Sequence, residues 1–110
     1  MGVLYNKYLD GSHIYGCKNC KTHLAIWDDI LSKNFKGRQG DAYLFENVVN
    51  VTRSQMVERG MLTGRYTVQD ISCRRCAANV GWAYVKAHTE SEEYKEGKYI
   101  LEVKALTHVV

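Results

Sequence analysis

Cys73-Arg74-Arg75-Cys76-Ala77-Ala78-Asn79-Val80-Gly81-Trp82-Ala83-Tyr84-Val85 joins a cysteine pair to an alternating run. Val80, Trp82 and Tyr84 alternate with Gly81, Ala83 and Val85, a period of two that reads as a β-strand. The larger side chains fall on one face, which is expected to pack, and the small or aliphatic ones on the other, which a neighbour can approach closely.

Upstream, Cys17-Lys18-Asn19-Cys20 repeats the cysteine spacing. Two cysteines two residues apart can turn both sulfurs to a point about 2.3 Å from a shared metal, and two such pairs complete a tetrahedron. Cys17, Cys20, Cys73 and Cys76 are therefore read as the four thiolate ligands of one structural Zn²⁺. With all four positions filled by protein, no place remains for water or substrate, so Lewis-acid catalysis is not expected. Iron can also take four cysteines, but an isolated closed site favours zinc. His23 is the only rival ligand near the first pair, and four sulfurs already complete the shell. Closing a loop of about 57 residues through the metal should contribute roughly 4 kcal/mol, if the disulfide formula is borrowed.

The chain has 110 residues, 45% of them hydrophobic. That suits one domain, residues 1–110, with a single cross-link able to matter for a marginal stability. No apolar run approaches the roughly 20 residues of a membrane span, and residues 1–10 lack a signal-peptide pattern. A soluble intracellular protein is expected, where thiols stay reduced and paired cysteines serve as metal ligands and not as disulfides. The formal charge is +3. Four thiolates with one dication bring that down by two, to about +1, a weak footprint for phosphate binding. Lys18, Lys21, Arg74 and Arg75 crowd the cysteine pairs, where their charge would favour thiolate over thiol.

Proline is absent. Glycines, among them Gly11, Gly16, Gly37, Gly40, Gly64 and Gly97, must make the turns. Between them, β-branched and aromatic content predicts strands near 14–15, 23–27, 42–45, 48–52, 66–73, 79–88 and 98–103. One short helix is expected after Thr89, with the Thr89 hydroxyl and Glu92 forming a capping box and Gly97 ending it about two turns on. The polar stretches 33–40 and 53–64 read as loops, where partner contacts would concentrate.

The two cysteine pairs sit inside a longer pattern that resembles the Yippee family. Cys17, Cys20, Gly40, Leu44, Asn50, Gly64, Cys73, Cys76, Gly81-Trp82-Ala83-Tyr84, Lys95 and Glu102 all stand in that family's spacing. The resemblance implies a mainly β fold, the β-tent: two antiparallel sheets pinned by one four-cysteine zinc, with one short helix. It is shared with the ligand-binding domain of cereblon, the Mis18 proteins and zinc-type methionine sulfoxide reductases. The resemblance also implies location in nucleus and cytoplasm, protein partners with CTLH/GID-type ubiquitin-ligase subunits as candidates, and a role in growth control. The chain departs from the family's usual wording at Trp27, at Ser72 and over 53–59, positions that bear on partner choice.

These readings converge on a non-catalytic protein-interaction module, a regulatory or adaptor subunit. Methionine sulfoxide reduction would need a nucleophilic thiolate beyond the zinc ligands, and no fifth cysteine exists. Tyr15, Asp70 and His88 form no recognisable nucleophile–base motif. A nucleic-acid-binding role would rest on Arg74, Arg75 and the 33–38 stretch, against the low charge of the metal-bound form and the lack of a helix for the major groove. Trp82 and Tyr84, with Tyr66, are candidate walls of a shallow partner-binding groove beside the zinc, the competing reading being that Trp82 is plain core. In the related cereblon domain a comparable aromatic stretch helps to cage a cyclic imide. Here Leu62, Tyr66 and Val68 stand where that cage has tryptophans, so a small-molecule ligand stays open and tight imide capture is not expected.

Overall fold

The computed structural model describes residues 13–109. The readings placed on residues 1–10 and on Gly11 lie outside the described residues. In chain order the strands are β1 (Ile14–Cys17), β2 (His23–Ile26), β3 (Ile30–Gly37), β4 (Gly40–Phe45), β5 (Val51–Arg53), β6 (Val57–Met61), β7 (Gly64–Cys73), β8 (Asn79–Ala87), β9 (Tyr99–Glu102) and β10 (Leu106–Val109). They form two antiparallel sheets, a small one ordered β10-β1-β2 and a large one ordered β3-β4-β9-β8-β7-β5, with β6 also paired to β7. The expected mainly β, two-sheet architecture is therefore found.

Alternation along the central strands of the large sheet generates two cores. On the face toward the small sheet, Phe45, Ile71, Ala83 and Leu101 meet Tyr15, Leu24 and the buried Cys17 and Cys73. On the opposite face, Leu44, Tyr66, Val68, Trp82, Tyr84 and Ile100 form a second cluster. Burying each large side chain contributes about 1.5–3 kcal/mol. Val80 joins the first core and not Trp82 and Tyr84. The β7–β8 register shifts between Ile71 and Ser72, and this bulge turns Val80 to the other face. Close approach to the small-residue face is found at Gly81, where a Cβ would lie 1.8 Å from the Ile100 carbonyl oxygen.

Both stretches read as loops are largely strand. Residues 33–40 complete β3 and its turn into β4, and 53–64 contain β6 and the turn into β7. Both are edge strands, and charges such as Lys33, Lys36, Glu58 and Arg59 give an edge the composition of a loop. The alternation is nonetheless present in β6, where Val57 and Met61 turn toward the second core. Strand β10, Leu106–Val109, is not among the expected strands.

The expected helix is a 3₁₀ segment, Glu90–Lys95, and no α-helix occurs among the described residues. The capping box is not formed: the Thr89 hydroxyl makes no cap, and the Glu92 N–H donates to the Thr89 carbonyl at 2.9 Å. The Glu92 carboxylate is instead drawn inward to Lys95 and Tyr66. None of the helices is long and apolar enough to cross a membrane.

Candidate metal centre and aromatic cleft

Each cysteine pair sits on a tight backbone loop of the same design. The Cys17 N–H donates to the Thr22 carbonyl at 2.9 Å and the Lys21 N–H to the Cys17 carbonyl at 2.7 Å. The second loop repeats both bonds, Cys73 N–H to Ala78 at 2.8 Å and Ala77 N–H to Cys73 at 2.8 Å. Buried Asn50 joins them: its Nδ2 donates to the His23 carbonyl at 2.7 Å, and its own carbonyl accepts the Arg74 N–H at 2.8 Å.

The loops bring the four sulfurs together from opposite sides, Cys17 Sγ 3.5 Å from Cys76 Sγ and Cys20 Sγ 3.5 Å from Cys73 Sγ. All four lie within 4.8 Å of one another. A tetrahedron with metal–sulfur arms of about 2.3 Å has edges of about 3.8 Å, so the donor set fits a four-thiolate metal site. His23 is not part of this cluster. Burial pushes the Cys17 thiol up to about 12 and also raises Cys73, so a neutral cluster would hold these protons. Burial acts on Cys20 too, but hydrogen bonds from the Thr22 hydroxyl, at 3.1 Å, and backbone bring that thiol down to about 6. A dication at the centre would supply the charge that stabilises four thiolates together.

Trp82 and Tyr84 line a cavity, but on the opposite face of the large sheet from Cys17 and Cys73 and not beside the cysteines as expected. Tyr66, fully buried, is not among its lining residues. The cavity, of about 540 Å³, lies between β3 and the β6–β7 hairpin. It could not open beside the metal, because Trp82 and Tyr84 alternate with Ala83, which faces the sulfurs' core. Trp82 is only 8% exposed, so it is both core and cavity wall. Its ring meets Tyr84 edge-on at 6.2 Å, and Tyr84 meets the fully buried Tyr66 at 5.0 Å.

Burial raises the Tyr84 phenol, against the lowering pull of the Trp82 indole and of Lys95. The indole N–H leans toward that phenol yet reaches no partner at full hydrogen-bond geometry. An unmet buried donor costs about 1–3 kcal/mol.

Below the cavity, Lys95 is buried and its ammonium group is fully engaged. It donates to Thr63 Oγ1 at 3.1 Å, to Tyr66 Oη at 2.9 Å and to Glu92 Oε1 at 2.8 Å. Composition alone did not mark Phe35, Met61, Tyr94 or Lys95 as cavity residues. The Glu92-x-x-Lys95 spacing was the available signal for a pair.

Tyr15, Asp70 and His88 lie in three separate places: the first core, an ion pair with Arg59, and a contact with Thr67. Trp27 is 42% exposed, with Lys33 Nζ 3.7 Å above its ring.

A sequence profile described as Yippee zinc-binding/DNA-binding/Mis18, centromere assembly matches residues 13–110. The chain is 51% identical over 102 residues to a yippee-like protein of Solanum tuberosum, covering 93% of this chain and 78% of that protein. It is 48% identical over 107 residues to protein yippee-like 3 of Homo sapiens, covering 96% of this chain and 87% of that protein. The crystal structure of a Mis18 'Yippee-like' domain superposes with a TM-score of 0.67 at 15% identity, over 89% of this chain and 95% of that one.

Proposed function

The chain belongs to the Yippee-Mis18 family, and from that premise we propose that it is a non-catalytic protein-interaction module whose sheets are pinned by one structural zinc. The observation that carries the reading is the division of labour across the large sheet. The four thiols converge at the edge of one core, where Cys17 and Cys73 are buried, with no cysteine left over for redox chemistry, and the aromatic cavity opens from the other. Zinc here would supply a charge-stabilised cross-link, and Cys17, Cys20, Cys73 and Cys76 would hold it. Large, stiff aromatic side chains at the cavity suit the anchoring of a protein partner.

The module would act as a regulatory or adaptor subunit in nucleus and cytoplasm, with CTLH/GID-type ubiquitin-ligase components as the first partners to test. The family description also names DNA binding. A charge of about +1 with metal bound counts against that reading here, because phosphate recognition needs clustered positive charge.

Affinity purification with mass spectrometry on the parent, Trp82→Ala and Leu62→Asp tests the proposal. Leu62 is fully exposed at the cavity's edge, so its replacement leaves the core intact. Loss of a defined partner from Leu62→Asp at unchanged zinc content and melting supports the reading. Full retention of every partner, or thiol-dependent reduction of methionine sulfoxide by the clean protein, overturns it.

A further inference from the structure

The cavity has a chemical bias. Lys36, Arg38, Arg59 and Lys95 line it, and no carboxylate does. Lys95 is held by Glu92, and Arg59 spans both oxygens of Asp70 at 3.3 Å. Lys36 meets Asp41 where both side chains are mostly exposed, and Arg38 stands 3.8 Å from an Asp70 already engaged by Arg59. Four cations thus face three carboxylates, and two of them, Lys36 and Arg38, are mostly exposed and open to a ligand's charge.

Inside, the Trp82 indole leans on the Tyr84 phenol and the two rings meet edge-on, a stiff apolar wall for a large side chain. At the outer end Leu62 is fully exposed and Tyr94 is 60% exposed, so apolar surface continues past the cavity. A small molecule lodged inside would leave that lip bare, whereas a polypeptide running across it would cover it. The cavity walls also include β3 and β6, each of which has one edge unpaired among the described residues. An extended segment can add to such an edge.

We propose that the cleft binds an acidic polypeptide segment of a partner protein, which seats a large apolar side chain against Trp82 and Tyr84. The segment's acidic residues face Lys36 and Arg38. This rests on the reading of the molecule as a protein-interaction module and specifies the chemistry of what it takes.

A phage-displayed random dodecapeptide library, panned against the zinc-loaded chain, tests it, with enriched peptides measured by fluorescence anisotropy. The enriched sequences should place Asp or Glu around an aromatic or large aliphatic residue. Their affinity should fall about fivefold in Leu62→Asp, which sets a carboxylate on the apolar lip. It should fall about tenfold in Lys36→Glu/Arg38→Glu, and several-fold between about 50 and about 300 mM salt. Lys36 and Arg38 are exposed and far from the cysteines, so the charge reversal should leave zinc content unchanged. The carboxylate placed at position 36 would stand opposite Asp41, and the cost to melting should be small because the site is open to solvent.

Failure to enrich any peptide, or enrichment of basic or uncharged ones, overturns the proposal. Peptides lost in Leu62→Asp but indifferent to the charge reversal also sink the acidic ligand, while leaving the cleft as a docking site. Peptides indifferent to every cleft substitution sink both readings. Phenylacetate binding with no peptide selected would make the cleft a small-molecule site and overturn the proposal as well.

Discussion

Lys21 and Ala77, each the residue after the second cysteine of its pair, share one backbone conformation, with φ at +64° in both. Neither is glycine, although each stands in left-handed space. The two cysteine loops therefore carry matched local strain as well as matched hydrogen bonds.

Replacing Ala77 by glycine should stabilise the protein. A left-handed alanine costs about 1–2 kcal/mol, and the looser unfolded chain returns about 0.4–1 of that, leaving a gain of about 0.5–1 kcal/mol. Lys21→Gly should behave alike. Chemical denaturation of the zinc-loaded protein reads the gain, and a loss in both variants would mean that the side chains contribute something the backbone argument omits.

Metal removal should abolish the cooperative fold. The clip between Cys17–Cys20 and Cys73–Cys76 closes a loop worth roughly 4 kcal/mol, a large share of a small domain's stability. Native mass spectrometry should find one zinc per chain, and chelation or Cys73→Ser should remove both the zinc and the sharp melting transition. A metal-free protein with unchanged melting would refute this.

Gly81→Ala should be far worse than Gly37→Ala. At Gly81 the new Cβ meets the backbone of Ile100 at 1.8 Å, which can yield only by parting β8 from β9. About 3 kcal/mol or more is expected. At Gly37 the obstacle is the buried Glu102 side chain, with Oε1 at 2.5 Å and Cγ at 2.8 Å, which must shift and give up its hydrogen bond from the Gln39 N–H while the strand backbones stay in place. That exchange should cost about 1–2 kcal/mol. Equal melting temperatures for the two variants would contradict the geometry.

Lys95→Met should destabilise the protein at neutral pH, since it removes the buried ammonium that Thr63, Tyr66 and Glu92 share. The pH dependence has a definite sign. Burial lowers the Lys95 ammonium, but the hydrogen bonds to Glu92 and Tyr66 overcome it and raise the group to about 12. Its contribution is complete below the unfolded value of 10.5 and is lost as pH rises through about 12. The Glu92 carboxyl is lowered, chiefly by its bond to Lys95, so its contribution is present above the unfolded value of 4.5 and fades as pH falls through the folded one. The stability gap between parent and Lys95→Met should therefore narrow at both extremes. A gap independent of pH would assign the loss to packing alone.

Much of the metal site was legible because its information is local: spacing alone places two sulfurs per loop, and period two marks β8. Asn50 and Lys95 stand in the family's spacing, but what each does is set by distant partners. Asn50 reveals its role only once β2 and the Arg74 turn are seen to meet on either side of it. Lys95 looks like a surface residue until Tyr66 and Thr63, far off in the chain, are folded against it. The cleft's position followed from a strand face, and its walls did not, because edge strands rich in charge carry the composition of loops.

The small sheet pairs Ile14 of β1 with Val109 of β10, so the ends of the described chain are stitched side by side. A ribosome delivers β1 long before it delivers β10. During synthesis, Cys17 and Cys20 emerge without their two counterparts, and β1 lacks its outer neighbour until Leu106–Val109 has cleared the exit tunnel. Pairings this remote in sequence form late and slowly. The nascent protein must therefore pass through a stage in which half of the cysteine cluster and an unpaired strand edge are both exposed.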